Sequence, residues 1–306
     1  MKQRGGSPRP DPTAIGTVAT PPFVRLPDPV QLFANRASRF RQHAPGNPLK
    51  PYLELLAGLS DLQASVQEGL PEPALPAADL LARAASNAMP PLNRSDFRPN
   101  EDFDALFDRL TEGAKSLDMP DEARAALERL AGADRGNRDR MLSNVLADAI
   151  PVEALAEHVF VAAAVQVHFA RLAALLDPAS LKPVGDGVCP ACGGAPVSSA
   201  IVDWPDAHGT RFCTCSTCAT MWNYVRAKCT LCGSTKDISF REVDGAGGTV
   251  KAEICGSCRG YVKVLYQDRD PALDPVADDV ATLGLDILVK ELGYRRGGVN
   301  PFLVGY

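Results

Sequence analysis

All nine cysteines of the chain fall between Cys189 and Cys258. Eight of them form four Cys-x-x-Cys pairs: Cys189/Cys192, Cys215/Cys218, Cys229/Cys232 and Cys255/Cys258. Two cysteines separated by two residues point both sulfurs at one ion while the intervening amides turn back toward the thiolates. A second pair on a hairpin completes a tetrahedron. The gaps between successive pairs are 22, 10 and 22 residues, and the long gaps fall close to the window of a zinc ribbon or rubredoxin-like site. Adding 40 to the first pair gives the third, and adding 40 to the second gives the fourth, which is an internal repeat. Gly193 answers Gly233, Arg211 answers Lys251 and Val225 answers Leu265 in the same frame.

The chemistry is that of closed tetrahedral thiolate sites. Four thiolates around a divalent ion leave a formal charge of about −2 and no open position for a substrate. Such a donor set suits zinc and mononuclear iron alike, so the ligands leave the metal open. A glycine after the second cysteine eases the tight turn. CPACG at 189 and CTLCG at 229 have one, whereas Ala219 and Arg259 follow the other pairs. Four redox-active thiol pairs are an alternative, weakened by the lack of a thioredoxin-like βαβ context. Ligation across the ten-residue gap between the second and third pairs is another. The repeat favours ligation within each unit. It also sorts CTCSTC at 213–218, because Cys215 and Cys218 map onto Cys255 and Cys258 while Cys213 maps onto Glu253. Cys213 is then the odd thiol, on a strand leading into the knuckle, packed as a small apolar residue.

The elements that must carry these pairs change character near residue 180. From about Val30 to Leu176 apolar residues recur at helical spacing, most clearly at Leu53, Leu56, Leu59, Leu62 and Val66. Breaks at 46–48, 71–76, 90–91 and Pro151 divide this region into six to eight helices. DPASLKPVGDG at 177–187 interrupts the pattern. Short β-branched or aromatic runs follow at 197–202, 237–243, 249–254 and 261–266, read as strands between knuckles. The chain closes with a helix over 274–293, with Asp274 as N-cap, Pro275 at its first position, Asp278 and Asp279 toward its positive end, and Val276, Val280, Leu283 and Ile287 as its apolar stripe. The fold class is α+β. A disordered tail at 1–24 precedes an all-α helical domain at 25–178. A linker follows at 179–188. Two tandem four-cysteine rubredoxin-like or zinc-ribbon units occupy 189–228 and 229–270, and the C-terminal helix and tail occupy 271–306.

Bulk properties narrow the partners. A chain of 306 residues accommodates two domains, and a formal charge of −5 gives no reason to expect a nucleic acid or an anionic membrane. Residues 189–270 hold nine Lys/Arg against eight acids before the thiolates are counted, a poor footprint for phosphate. The apolar stretch at 158–176 contains His158, Gln166, His168 and Arg171 and reads as a core helix rather than a membrane span. Without a signal peptide or span, the expected compartment is the cytoplasm, where clustered cysteines serve metals more than disulfides.

CPACGGAPVSS at 189–199, CSTCATMWNYVRAKCTLC at 215–232, KAEICGSCRGYVKVLYQDRDP at 251–271, ADDVATLGLD at 277–286 and GVNPFL at 298–303 together resemble the formate dehydrogenase accessory proteins of the FdhE type. The match is looser before residue 189, where YLELLAGLSDLQ at 52–63 carries it. The resemblance implies a cytoplasmic, non-catalytic assembly factor for active respiratory formate dehydrogenase, which binds the catalytic subunit before export. It implies two metal ions, iron with zinc as the alternative, on Cys189, Cys192, Cys215 and Cys218 and on Cys229, Cys232, Cys255 and Cys258. The chain departs from the family pattern at Met221 and Asn223, where relatives often have an acidic residue and a histidine, and at Cys213.

The competing reading is a rubredoxin-like redox or electron-transfer protein. His43, His158 and His168 read as surface or core histidines, and His208 as a weak substitute ligand. Trp222 and Tyr224 read as ribbon core before partner patch. Arg226 and Lys228 are either thiolate donors or solvated. Arg295, Arg296 and the Pro-Phe-Leu tail read as a docked C-terminus.

Overall fold

The computed structural model describes residues 20–304. Residues 1–19 of the expected tail lie outside the described residues. Val24, inside the stretch expected as a disordered tail, is instead buried and paired with Trp222. Strand β1 (Val24–Arg25) precedes seven α-helices: α1 (Pro29–His43), α2 (Lys50–Ser65), α3 (Ala78–Ser86), α4 (Glu101–Ala114), α5 (Asp121–Ala131), α6 (Arg135–Leu146) and α7 (Leu155–Ala174). Strands β2 (Pro196–Val202), β3 (Thr210–Cys215), β4 (Met221–Asn223), β5 (Ile238–Arg241), β6 (Val250–Cys255) and β7 (Gly260–Tyr266) follow. Helices α8 (Ala277–Ala281) and α9 (Leu283–Glu291) and strand β8 (Arg295–Arg296) close the chain.

Local signals start the helices. Asp28, Asn100 and Asp134 accept from the backbone N–H three residues on, capping α1, α4 and α6, and Pro29 fills the first position of α1. Helix α7 is buried on every side from Phe160 to Ala170 and is therefore central. The segment Val152–Ala174 has the length and composition to cross a membrane. In this fold it is the axle on which α1, α2, α4, α5 and α6 pack.

The strands form one sheet in the order β1-β4-β3-β2-β7-β6-β5, with β8 on β7. Each four-cysteine unit is an antiparallel meander, β2-β3-β4 and β5-β6-β7. The two are joined by parallel pairing of β2 with β7 through Ser199↔Val264 and Ala200↔Leu265. The 40-residue repeat is visible in β3 and β6, each of which ends at a knuckle cysteine, Cys215 and Cys255. Side chains alternate across β3. Cys213 joins the core shared with the helices, and Phe212 joins a second core with Ala200, Leu285 and Val289 on the opposite face.

The expected single C-terminal helix is broken at Thr282. Buried Lys263 supplies the reason. Its Nζ donates to the carbonyls of Asp279 and Thr282 at 2.7 and 3.1 Å, and these are acceptors that a continuous helix would use itself. The break rotates α9, so Ile287 is exposed and Leu285 and Val289 take the inward positions. Asp274 does cap this region, its Oδ1 accepting from the N–H of Val276 and Ala277 at 2.9 and 2.7 Å.

Candidate metal centres

The first and third knuckles are each built by two backbone bonds. The N–H of Gly193 donates to the Cys189 carbonyl at 2.9 Å and the N–H of Cys189 to Gly194 at 2.9 Å. The third pair repeats this with Gly233 to Cys229 at 3.0 Å and Cys229 to Ser234 at 2.8 Å. The turns require a left-handed residue after the second cysteine. Gly193 and Gly233 adopt φ 79° and 70°, and Ala219 and Arg259 are forced to φ 58° and 57° at the same positions. Amides then face the sulfurs, with Thr217 N–H 3.4 Å from Cys215 Sγ and Leu231 N–H 3.4 Å from Cys229 Sγ.

The eight cysteines gather as two groups, Cys189, Cys192, Cys215 and Cys218, and Cys229, Cys232, Cys255 and Cys258, with the sulfurs of each group within 4.8 Å of one another. The grouping is within each repeat unit, not across the ten-residue gap. In the first group Cys189–Cys218 and Cys192–Cys215 are 3.6 and 3.4 Å apart. In the second, Cys229–Cys258 and Cys232–Cys255 are 3.9 and 3.8 Å apart. A tetrahedron with metal–sulfur bonds of about 2.3 Å has edges of about 3.8 Å, whereas a disulfide needs about 2.05 Å. All nine cysteines are free thiols. Donor type, number and spacing fit a tetrahedral ion, so each group could hold one metal. Burial, then hydrogen bonding with the other thiols of its group, pushes the Cys189 pKa well above that of an ordinary cysteine. A cation is what makes four thiolates tolerable there. Gly194 is needed for the first cage, since a Cβ on it would lie 2.9 Å from Cys215 Sγ.

The two centres sit in different surroundings. The first is wholly buried and belongs to the same core as the helices. A segment of the helical region pairs with its knuckle: Leu92 N–H donates to Ala191 at 2.9 Å and Arg94 N–H to Cys192 at 3.0 Å. The Arg94 guanidinium bonds Asp148 Oδ1 at 2.9 Å and Thr217 Oγ1 at 3.4 Å. Burial opposes its charge, but Asp148 and the negative charge of Cys192 and Cys215 outweigh it and hold the Arg94 pKa above the ordinary value. From α7, Gln166 donates to the Ser216 carbonyl at 3.0 Å. In the second centre Cys232 is exposed and Cys258 half-buried. A buried pair, Arg211 and Glu253 at 3.0 Å, ties the two units together.

Cys213 lies in neither group. It is fully buried opposite Trp222, and burial pushes its thiol up to about 12. His208 is exposed and paired with Asp203, and His43 bonds Asp278 at 2.7 Å. His158 and His168 are buried on α7. Trp222 is buried, and the Tyr224 hydroxyl donates to Asp186 and to the Cys229 carbonyl, both at 3.1 Å. Arg226 and Lys228 bond the Gly209 carbonyl and Asp186 rather than sulfur. At Met221 and Asn223, Met221 pairs with Arg25 of β1 and Asn223 Nδ2 donates to the Arg211 carbonyl at 3.3 Å. Arg295 is exposed, whereas the half-buried Arg296 pairs with Asp279 and Asp286 and Phe302 and Leu303 are buried, so the tail is docked as far as residue 303. Sequence reasoning missed Arg94 and Gly194. Arg94 stands 95 positions before the first cysteine of its centre, with no local signal.

Three family models match the chain: FdhE N-terminal at residues 21–186, FdhE central domain at 188–226 and FdhE C-terminal domain at 227–303. A protein FdhE homolog of Rhizobium meliloti (strain 1021) is 47% identical over 300 residues, covering 97% of this chain and 98% of that protein. One from Actinobacillus pleuropneumoniae serotype 3 is 34% identical, with 95% of this chain and 94% of that protein covered. The crystal structure of the FdhE protein from Pseudomonas aeruginosa superposes with a TM-score of 0.80 at 31% identity, over 93% of this chain and 99% of that chain.

Proposed function

We propose the following from the fact that the chain belongs to the FdhE family: it is a cytoplasmic accessory factor for respiratory formate dehydrogenase. It binds the catalytic subunit before export, holds one metal ion in each four-cysteine centre, and catalyses no reaction of its own. The observation that carries this reading is that each centre has four cysteine sulfurs and therefore closed coordination, joined to full-length family membership. Closed thiolate sites organise a fold and offer substrate no place to bind. Cys189, Cys192, Cys215 and Cys218 hold the first ion, and Cys229, Cys232, Cys255 and Cys258 the second. The ion is iron by family resemblance, with zinc as the alternative donor match. When bound, it supplies the positive charge that stabilises four neighbouring thiolates.

The test is complementation. In cells lacking the resident gene, the wild-type chain is expected to restore formate dehydrogenase activity. Cys192→Ser and Cys232→Ser are expected to fail or weaken while the catalytic subunit is still synthesised. Full activity with both variants would sink the metal-dependent part of the proposal. A metal-loaded chain that changes colour reversibly on reduction but never captures the catalytic subunit would favour the electron-transfer reading instead.

A further inference from the structure

Helix α3 is held differently from the other helices of its domain. Ala84 is its one buried residue, where every other helix of the domain buries at least three, and it hangs between the proline-rich segments at 71–76 and 90–91. Leu80 on it and Met89 just after it are 49% and 50% exposed. Between α3 and α7 runs an open groove with a cavity of about 640 Å³, walled by Leu80, Ala84, Met89, Phe97, Phe169 and Leu172. That volume lies within the roughly 300–1,000 Å³ typical of built ligand sites.

Two polar features mark the groove as more than loose packing. At its floor His168 is 1% exposed, with its ring 5.1 Å from that of Phe97 and 5.4 Å from that of Phe103. Its Nδ1 has no hydrogen-bond partner among the described residues. A buried polar nitrogen without a partner is costly unless something supplies one. At the rim stand Arg83 and Arg98, and neither makes an ion pair among the described residues. Arg98 donates only to the Phe97 carbonyl, at 2.8 Å. The rim carboxylate, Asp96, is taken by Asn93 at 2.5 Å. The groove therefore offers apolar walls, a neutral hydrogen-bonding floor and two uncommitted cations.

We propose that the α3–α7 groove is a docking site for an apolar, acid-bearing peptide segment of the formate dehydrogenase catalytic subunit; this rests on the accessory role proposed above. Apolar side chains enter against Phe97, Phe169 and Leu172, one polar group meets His168 Nδ1, and an Asp or Glu of the segment pairs with Arg83 and Arg98. A protein segment fits better than a small molecule because the walls extend onto exposed Leu80 and Met89, which a small ligand would leave wet. The nine residues of α3 span about 13 Å, which limits the segment in contact to two or three helical turns.

The test uses the full-length, metal-loaded chain and the co-expressed catalytic subunit. The double variant Arg83→Glu/Arg98→Glu is expected to capture the subunit about tenfold more weakly, with metal content and helicity unchanged. With Leu80 replaced by p-benzoylphenylalanine, irradiation is expected to crosslink to an apolar stretch of the subunit that contains Asp or Glu. Unchanged capture by the double variant, or a Leu80 crosslink only to a second copy of this chain, overturns the groove while leaving the accessory role standing. If the wild-type chain captures no catalytic subunit, the accessory role and the groove fall together.

Discussion

Cys213→Ser and Cys215→Ser change the same atom type two residues apart on β3, and opposite outcomes are expected. Cys213 is fully buried, in neither sulfur group, with Trp222 directly across on the neighbouring strand. Serine there keeps the volume but puts a hydroxyl into an apolar site, at a cost of about 1–3 kcal/mol. For a chain of this size that is a Tm lower by roughly 2–6 °C. Metal content is expected to stay at the wild-type level. Cys215 is 3.4 Å from Cys192 in the first cage, and its sulfur also receives the Thr217 N–H. Serine there removes one ligand of four and is expected to cost more than the about 10–100-fold in affinity that losing an outer partner costs. The assay is metal per chain after gel filtration, read with a chromogenic chelator under denaturing conditions, alongside a thermal melt. Loss of an equivalent of metal from Cys213→Ser, or full retention by Cys215→Ser, would refute the assignment of ligands.

Three further outcomes follow from the packing. Chelator is expected to remove metal from the wild-type chain in two phases, with the second centre first because Cys232 is exposed; Arg94→Gln should speed only the slow phase, by about tenfold, and a single uniform phase would contradict the asymmetry. Lys263→Met leaves Asp279 and Asp286 buried with one counter-charge fewer and is expected to cost about 3–5 kcal/mol in urea unfolding, with Lys263→Met/Asp286→Asn recovering part of it; a loss below about 1 kcal/mol would show that the network is not held as described. Burial would raise the Asp278 pKa, but the hydrogen bonds and charges of His43 and Arg39 outweigh it and hold it below the ordinary carboxylate range. Its stabilisation is therefore complete above about pH 4 and lost as pH falls through the lowered value, so the stability difference between wild type and Asp278→Asn should shrink below pH 4, and a difference flat with pH would contradict this.

The sequence made the cysteine pairing and the strand–knuckle order legible, because both are written in short spacings and a repeat that needs no third dimension. Cys213 separates from Cys215 by that repeat alone. The break at Thr282 was not legible: it depends on Lys263, whose ammonium is brought under the helix by β7 pairing 19 residues earlier in the chain. Asp278 and Asp279 look like helix-dipole acids in sequence. Arg39, 239 residues away, and Arg296 in the tail turn them into buried ion pairs. Periodicity could not show that α3 would be left half-seated, since its own pattern is amphipathic and the missing partner surface is a property of α7.

Affinity capture of the formate dehydrogenase catalytic subunit separates a metal-dependent accessory factor from a chain that only holds metal. Metal-loaded wild-type chain is compared with a chain carrying Cys192→Ser and Cys232→Ser. The loaded chain is expected to retain the subunit at stoichiometric amounts, and the doubly substituted chain, emptied of metal, is expected to retain far less. Equal retention by both, or retention by neither, would contradict the metal-dependent accessory role.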